Sequence, residues 1–319
     1  MREPGDQRVL SCNKGHHSAA DGRGFVSLAT FENYFLPGNG REVVALLQEY
    51  GERALILAGG SFVHGLAARD LLSGVDVFID IQKLGLANIV TDPDGLQVGA
   101  MTRFTDFEKV PEIQNDPGWG AVKDALSYPP AQIMNAATVG GSIAAVCPYF
   151  DLPTALLAVG GKVKVESNTG SREINLKDFS TSLFESSLGV DEFVTGLVLP
   201  QPVSGSVSAF IKLATNANDL AIVNVAVQIN LDRSGVCRSA SVALGGGVNE
   251  ITLRSAAAEK LLEGQKLTDE LMKAAGTAVQ VDISPMADHR ASAEYRSAMA
   301  SVLTERALQR AIARLTRSS

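Results

Sequence analysis

Residues 54–63 read Ala54-Leu55-Ile56-Leu57-Ala58-Gly59-Gly60-Ser61-Phe62-Val63, a short apolar strand running straight into paired glycines and a hydroxyl. A chain that leaves a buried strand and turns this sharply benefits from residues without a Cβ. Successive main-chain N–H groups can then converge on one point and form an anion-binding nest. The same device recurs as Thr138-Val139-Gly140-Gly141-Ser142, with hydroxyls at both ends. Two such loops suit the two phosphates of a dinucleotide. Read alone, a Gly-Gly pair after a strand is more often a plain turn than a ligand site. Neither loop has the GxGxxG or GxxxxGK[ST] spacing, so Rossmann-type NAD binding and P-loop hydrolysis are disfavoured.

Working outward, Arg41–Tyr50 carries Val43, Val44, Leu46, Leu47 and Tyr50 at helical spacing, with Gly51 as the stop. Residues 75–81 and 96–100 read as strands, Thr105 and Asp106 as the cap of a short helix, and 119–126 as a helix ended by Pro129-Pro130. A helix over 153–159 and strands over 162–166 and 195–199 follow. The stretch 200–208, rich in Pro, Ser, Val and Gly, marks a boundary. Beyond it, 209–213, 223–231 and 240–244 predict a small antiparallel sheet. Helices over 254–263, 269–279 behind a Thr268 cap, and 292–315 complete the chain. In the last, Met299, Val302, Leu303, Ala307, Ala311, Ile312 and Leu315 form one apolar stripe.

Bulk properties narrow the function classes. A length of 319 residues suggests two domains at ~150 residues each. The net charge of -7 argues against a phosphate-backbone partner, so no nucleic acid is expected. Cys12, Cys147 and Cys237 are far apart, which leaves no disulfide framework, zinc site or iron–sulfur ligand set. No apolar run is long enough for a membrane span, and a cytoplasmic location is expected. Residues 1–24, polar and Gly-rich with His16 and His17, read as a flexible leader. Residues 25–203 and 204–319 are the expected domains. No Ser–His–Asp set, paired catalytic carboxylates or metal-spaced histidines are visible, so no catalytic or metal residue is assigned.

The motifs in order resemble the FAD-binding medium subunit of the xanthine dehydrogenase and carbon monoxide dehydrogenase (molybdenum hydroxylase) family. They are Leu57–Ser61, Asp80-Ile81, Gly99-Ala100-Met101-Thr102 and Thr138–Ala144 followed by Pro148 and Asp151-Leu152-Pro153. Lys212, Asp219–Asn224, Ala243-Leu244-Gly245-Gly246 and Asp288–Arg296 (DHRASAEYR) continue the match toward the C-terminus. The resemblance implies an α+β fold, with a two-subdomain FAD-binding domain of the vanillyl-alcohol-oxidase/PCMH type. A C-terminal domain with a small antiparallel sheet and a helix bundle would follow.

Carried over by position, Ala58, Gly59, Gly60, Ser61, Phe62 and Val63 would cradle the FAD diphosphate with main-chain N–H groups. Thr138, Val139, Gly140, Gly141 and Ser142 would do the same from the other side, with Thr102 close by. Asp151 would accept from ribose or ribityl hydroxyls, Tyr128 would pack near the cofactor, and Val194 and Lys212 would line the flavin end. A cation there stabilises reduced flavin; the alternative for Lys212 is a surface lysine. His64 is either a cofactor neighbour or a turn residue. Ser142, Met134 and Thr215-Asn216 depart from the Asn, Arg and Arg pair common in the family.

FAD is expected to be noncovalent. The molybdenum cofactor is expected on a large partner subunit and [2Fe–2S] clusters on a small one, in a dimer of heterotrimers. The chain would relay electrons to an external acceptor. A stand-alone FAD oxidase or reductase of the same fold, or a binding module that has lost FAD, are the rivals.

Overall fold

The computed structural model describes residues 32–318 except Asp70 and Ala217; the leader, with Cys12, His16 and His17, lies outside the described residues. The first unit is built from β1 (Asn33–Phe35), α1 (Gly40–Tyr50), β2 (Ala54–Leu57), α2 (Ser61–Ala67) and β3 (Val77–Asp80). Helix α1 starts where the Asn39 side chain accepts from Glu42 N and Glu42 Oε2 accepts from Gly38 N, a reciprocal cap. It ends at Gly51, whose φ of 54° lets its N–H reach back to Leu47 O. The strands pair in parallel in the order β1-β3-β2, so central β3 is buried along its length. Val43, Val44 and Leu47 of α1 cover them.

The second unit holds β4 (Ile89–Asp92), β5 (Gly95–Gly99), α3 (Phe104–Glu108), α4 (Pro111–Asn115), α5 (Gly120–Leu126), α6 (Ala131–Ala136), α7 (Val139–Ala144), α8 (Asp151–Ala158), β6 (Lys162–Ser167), β7 (Gly170–Asn175), β8 (Ser180–Ser182), β9 (Glu185–Ser186) and β10 (Phe193–Pro200). Five strands form an antiparallel sheet in the order β4-β5-β10-β6-β7. A bulge in β10 between Val194 and Gly196 turns the Thr195 carbonyl toward Ala100, whose N–H it accepts at 3.0 Å. Thr105 and Asp106 lie inside α3 rather than capping it. The N-cap is Arg103, and the Thr105 hydroxyl donates to Met134 O at 2.8 Å. Strands β4 and β7–β9 escaped the sequence reading because they are short and largely polar.

The third unit is β11 (Ser206–Leu213), β12 (Val223–Leu231), β13 (Cys237–Gly245), β14 (Leu253–Arg254), α9 (Ala256–Leu262), α10 (Asp269–Ala278) and α11 (Ala293–Ser318). The three expected strands pair antiparallel in the order β11-β12-β13, and the two-residue β14 adds a fourth at the β13 edge. Val223, Val225, Val227 and Ile229 face the helices, where Ala300, Leu303, Ala307, Leu308 and Ala311 of α11 meet them. The opposite face is not solvated. Phe210, Ala226 and Ala243 belong to the core of the second unit. The sheet is therefore sandwiched, and the period of two sends Ser208, Phe210, Lys212, Asn224 and Gln228 to the seam.

That seam is polar at its rim. Ser208 Oγ donates to Gly118 O and accepts from Ala121 N, both at 2.8 Å. Asp124 of α5, 5% exposed, accepts from Phe210 N at 3.0 Å and pairs with Arg310 of α11 at 2.7 Å and with Arg314. Arg310 and Arg314 of α11 are thus spent on a partner inside the chain. Asp124→Ala leaves the buried Phe210 N–H without its acceptor and frees two partly exposed arginines, a loss of about 1–3 kcal/mol. Urea unfolding of the purified chain should show this loss; an unchanged midpoint would mean the seam does not depend on Asp124.

Candidate functional site

The two glycine pairs do different work. Gly60 precedes α2 with φ 72°, a left-handed conformation, and a Cβ on Gly59 would lie 1.9 Å from Ala136 O. Each glycine of the first pair is needed, one for its dihedral and one for its packing. Because α2 begins here, the main-chain N–H groups of Gly59, Gly60, Ser61, Phe62 and Val63 donate to no other described residue. They form a half-exposed array of donors at the end of a strand.

The second segment is the first turn of α7, not an open loop. Val139 N donates to Thr102 O at 2.9 Å and Gly140 N to Ala100 O at 2.9 Å. Thr138 caps the turn, its Oγ1 accepting from Gly141 N at 3.1 Å and its carbonyl from Ser142 N at 3.0 Å. The Ser142 hydroxyl donates to Val139 O at 2.8 Å. The expectation of an open N–H nest therefore fails for the second segment, whose donors are taken within the chain, whereas those of the first have no partner among the described residues. A strand-like bridge to residues 100–103 uses up the donors of the second. What the second pair provides is closeness: a Cβ on Gly140 would lie 2.4 Å from Ala100 Cβ, and one on Gly141 would lie 2.8 Å from Thr138 Oγ1 and 3.9 Å from Ala58 Cβ. Thr102 is 1% exposed and acts through its carbonyl.

From the nest, Phe62 makes an edge-to-face contact with Phe150 at 5.5 Å and lies 6.2 Å from Phe184. Phe150 leads directly into Asp151 at the start of α8. Asp151 Oδ2 accepts from Lys212 Nζ at 2.8 Å, with the two side chains 8% and 4% exposed. Lys212 is not a surface lysine. Its ammonium also lies 5.5 Å from the Tyr128 ring centroid, and Tyr128 packs edge-on against Phe210 at 5.6 Å. Burial pushes the Asp151 carboxyl up from its ordinary range, against the pull of Lys212 and Asn224. The lysine charge is thus matched by a carboxylate rather than standing as an isolated cation.

Ala58–Val63, Thr102, Thr138–Ser142, Tyr128, Asp151 and Lys212 are linked by these contacts into one region where the three units meet. Val194 is set apart: it is 6% exposed and packs in the core of the second unit. His64 is exposed on α2. Of the departures from the family pattern, Met134 packs on the same core and Asn216 Nδ2 donates to Asp219 Oδ2 at 2.8 Å. Sequence reasoning assigned no role to Asn224, which is fully buried and donates to Asp151 Oδ1 at 3.2 Å. The signal was present in β12, where Asn224 falls on the alternate face to Val223, Val225 and Val227.

Gly60→Val places a branched side chain at positive φ, a strain of about 1–3 kcal/mol, and screens the donor array. A flavin titration should show lost binding while circular dichroism stays native. Stoichiometric flavin in this variant would mean that residues 59–63 are an ordinary turn.

Residues 29–202 match the family model for the FAD binding domain in molybdopterin dehydrogenase, and residues 208–311 match the CO dehydrogenase flavoprotein C-terminal domain. The chain is 33% identical to subunit alpha of the 6-hydroxypseudooxynicotine dehydrogenase complex of Paenarthrobacter nicotinovorans, over 88% of this chain and 95% of that one. It is 30% identical to the glyceraldehyde dehydrogenase medium chain of Sulfolobus acidocaldarius, over 79% of this chain and 89% of that one. Among solved structures, a chain of the carbon monoxide dehydrogenase of Hydrogenophaga pseudoflava superposes with a TM-score of 0.83 at 30% identity, covering 89% of this chain and 98% of that one. The chain belongs to the FAD-binding medium subunits of the molybdopterin dehydrogenases, as an oxidoreductase component whose cofactor is FAD.

Proposed function

We propose that this chain relays electrons within a cytoplasmic molybdenum hydroxylase. It would take them from [2Fe–2S] clusters of a small subunit, fed by a molybdenum centre on a large one, and deliver them to an external acceptor. The observation that carries this reading is the array of five consecutive N–H donors, Gly59–Val63, without partners among the described residues and joined through the Phe62–Phe150 contact to the segment that bears the buried Asp151–Lys212 pair. An array of this kind fits diphosphate oxygens, and no comparable set of donors is left over in the second glycine segment. The names of the relatives, a medium chain and a subunit of a complex, support assembly with larger and smaller partners. A dimer of heterotrimers is the assembly we infer, with domains at residues 25–203 and 204–319.

The residues divide the work. Main-chain N–H groups of Gly59–Val63 hold the diphosphate, with Ala58 and Thr138–Ser142 packed behind them. Asp151 keeps lone pairs for ligand hydroxyls after serving Lys212 and Asn224, since a carboxylate offers about four acceptor sites. Tyr128 and Lys212 close the flavin end, and Val194 supports them from the core. When bound, FAD would supply the capacity to accept electrons one at a time, hold two and pass them on. The protein supplies binding, orientation and a fixed electrostatic setting. Noncovalent attachment is supported by Cys147, whose thiol is buried and has its pKa pushed up to about 11 by desolvation.

One preparation tests both parts. Acid precipitation of the FAD-loaded chain should leave the yellow chromophore in the supernatant; flavin in the pellet would contradict noncovalent binding. Under anaerobic conditions, N-heterocycle, aldehyde and aromatic substrates should leave the flavin of the isolated chain oxidised. Adding the molybdenum and iron–sulfur subunits should allow the accepted substrate to bleach it. Bleaching by substrate without partners would reject the relay and favour a stand-alone oxidase.

A further inference from the structure

The segment joining α7 to α8 is fastened to the third unit by three successive carbonyls. Pro148 O accepts from Gly246 N at 2.7 Å, Tyr149 O from Ala221 N at 3.4 Å, and Phe150 O from Asn224 Nδ2 at 3.1 Å. Val146 begins this strap with φ 42°, a conformation a β-branched residue adopts only when its surroundings impose it. Arg290 lies 4.5 Å over the Tyr149 ring. The three C-terminal motifs of the sequence thus converge on the strap that delivers Asp151.

Their internal order explains the glycines and the buried arginine. Lys212, Asn224 and Gly245 stand opposite one another across β11, β12 and β13. A Cβ on Gly245 would lie 2.6 Å from Asn224 Oδ1 and 3.0 Å from Pro148 O, and one on Gly247 would lie 2.6 Å from Arg296 Nη1. Arg296 is fully buried, donates to the carbonyls of Ile222 and Gly246, and has Nη2 at 2.7 Å from Asp288 Oδ1. Asn224 is itself oriented: its Oδ1 accepts from Thr154 Oγ1 at 2.9 Å, which turns both N–H donors toward Phe150 O and Asp151.

We propose that Asn224 is a positioning residue for FAD, holding the strap and the Asp151 carboxylate in the cleft from a socket that Gly245, Gly246 and Arg296 complete. This rests on the reading of the cleft given above. The socket makes the third unit part of the cofactor site without touching the diphosphate nest. It also accounts for the terminal motif, which has no other contact with the cleft.

The test is FAD titration of the full-length chain carrying Asn224→Asp, an isosteric change, at about pH 8 and about pH 6. The groups facing the introduced carboxyl are Asp151 from α8, Lys212 from β11 and the Tyr128 phenol. Beyond the turn stand Arg290 and Arg296, and the strap holds the buried Cys147 thiol. Two carboxylates in contact cannot both ionise freely, so one retains its proton well above the ordinary range. Ionised, the introduced group cannot donate to Asp151 or to Phe150 O; protonated, it restores one donor.

The expected result is affinity at least about tenfold weaker than wild type at the higher pH and recovering at the lower one. The wild type should change little between them. Wild-type affinity at both pH values, or an equal loss at both, overturns the proposal. If Asn224→Asp does not fold, Thr154→Val decides: it frees the amide to turn, and binding should weaken severalfold with a native melt, whereas undiminished binding overturns the proposal. A wild-type chain that takes up no FAD overturns the cleft reading itself, and this inference with it.

Discussion

The buried pair between Lys212 and Asp151 is the contact on which the rest of the architecture depends. Removing two charges from water is costly, and their attraction offsets that cost only when the remaining hydrogen-bonding groups are satisfied. Here Asn224 serves the carboxylate and the Tyr128 ring faces the ammonium. The pair also fixes register. A slip of β11 by one residue would carry Lys212 to the helix-covered face, among Val225, Val227 and Leu303, where no carboxylate waits. The FAD-binding domain and the C-terminal sheet are thus specified jointly, and the sheet buries both faces although its strands are antiparallel.

A second constraint is how closely main chains approach. Gly59 against Ala136, Gly140 against Ala100 and Gly246 against Val223 bring backbones within distances that a Cβ would forbid, and Gly245 leaves room for the Asn224 side chain and the Pro148 carbonyl. These contacts draw the nest, the 100–103 segment, α7 and the strap into one region. Of the two glycine segments, residues 59–63 are the one that keeps a run of main-chain donors without partners among the described residues. The distinction is one of hydrogen-bond accounting. A helix start bridged to a neighbouring segment spends its N–H groups, while one that follows a strand end without a neighbour keeps them.

Much of the fold was legible. Helix α1, the strand into Gly59, the three long C-terminal strands and the Thr268 cap carry strong periodic or capping signals. Residue patterns could not show the short polar strands β7–β9, which are held by pairing rather than by an apolar face. The site was legible as motifs but not as roles. Thr138-Val139-Gly140-Gly141-Ser142 resembles Ala58–Val63 in composition, and only the tertiary bridge to Thr102 shows that its donors are taken. Lys212 and Asp151 lie far apart in sequence, so nothing local revealed that they neutralise each other. Arg296 lies in a charged motif and is nonetheless fully buried, because two carbonyls and Asp288 receive it.

The central claim is that main-chain N–H groups of the first glycine segment, and not those of the second, hold the FAD diphosphate. Amide resonances of the isotope-labelled chain, followed as FAD is added, address this residue by residue. The account predicts large shifts and slowed hydrogen exchange at Gly59–Val63. Val139–Ser142, already hydrogen-bonded within the chain, should be protected before FAD is added and change little. Large changes at Val139–Ser142 with Gly59–Val63 unmoved would contradict it.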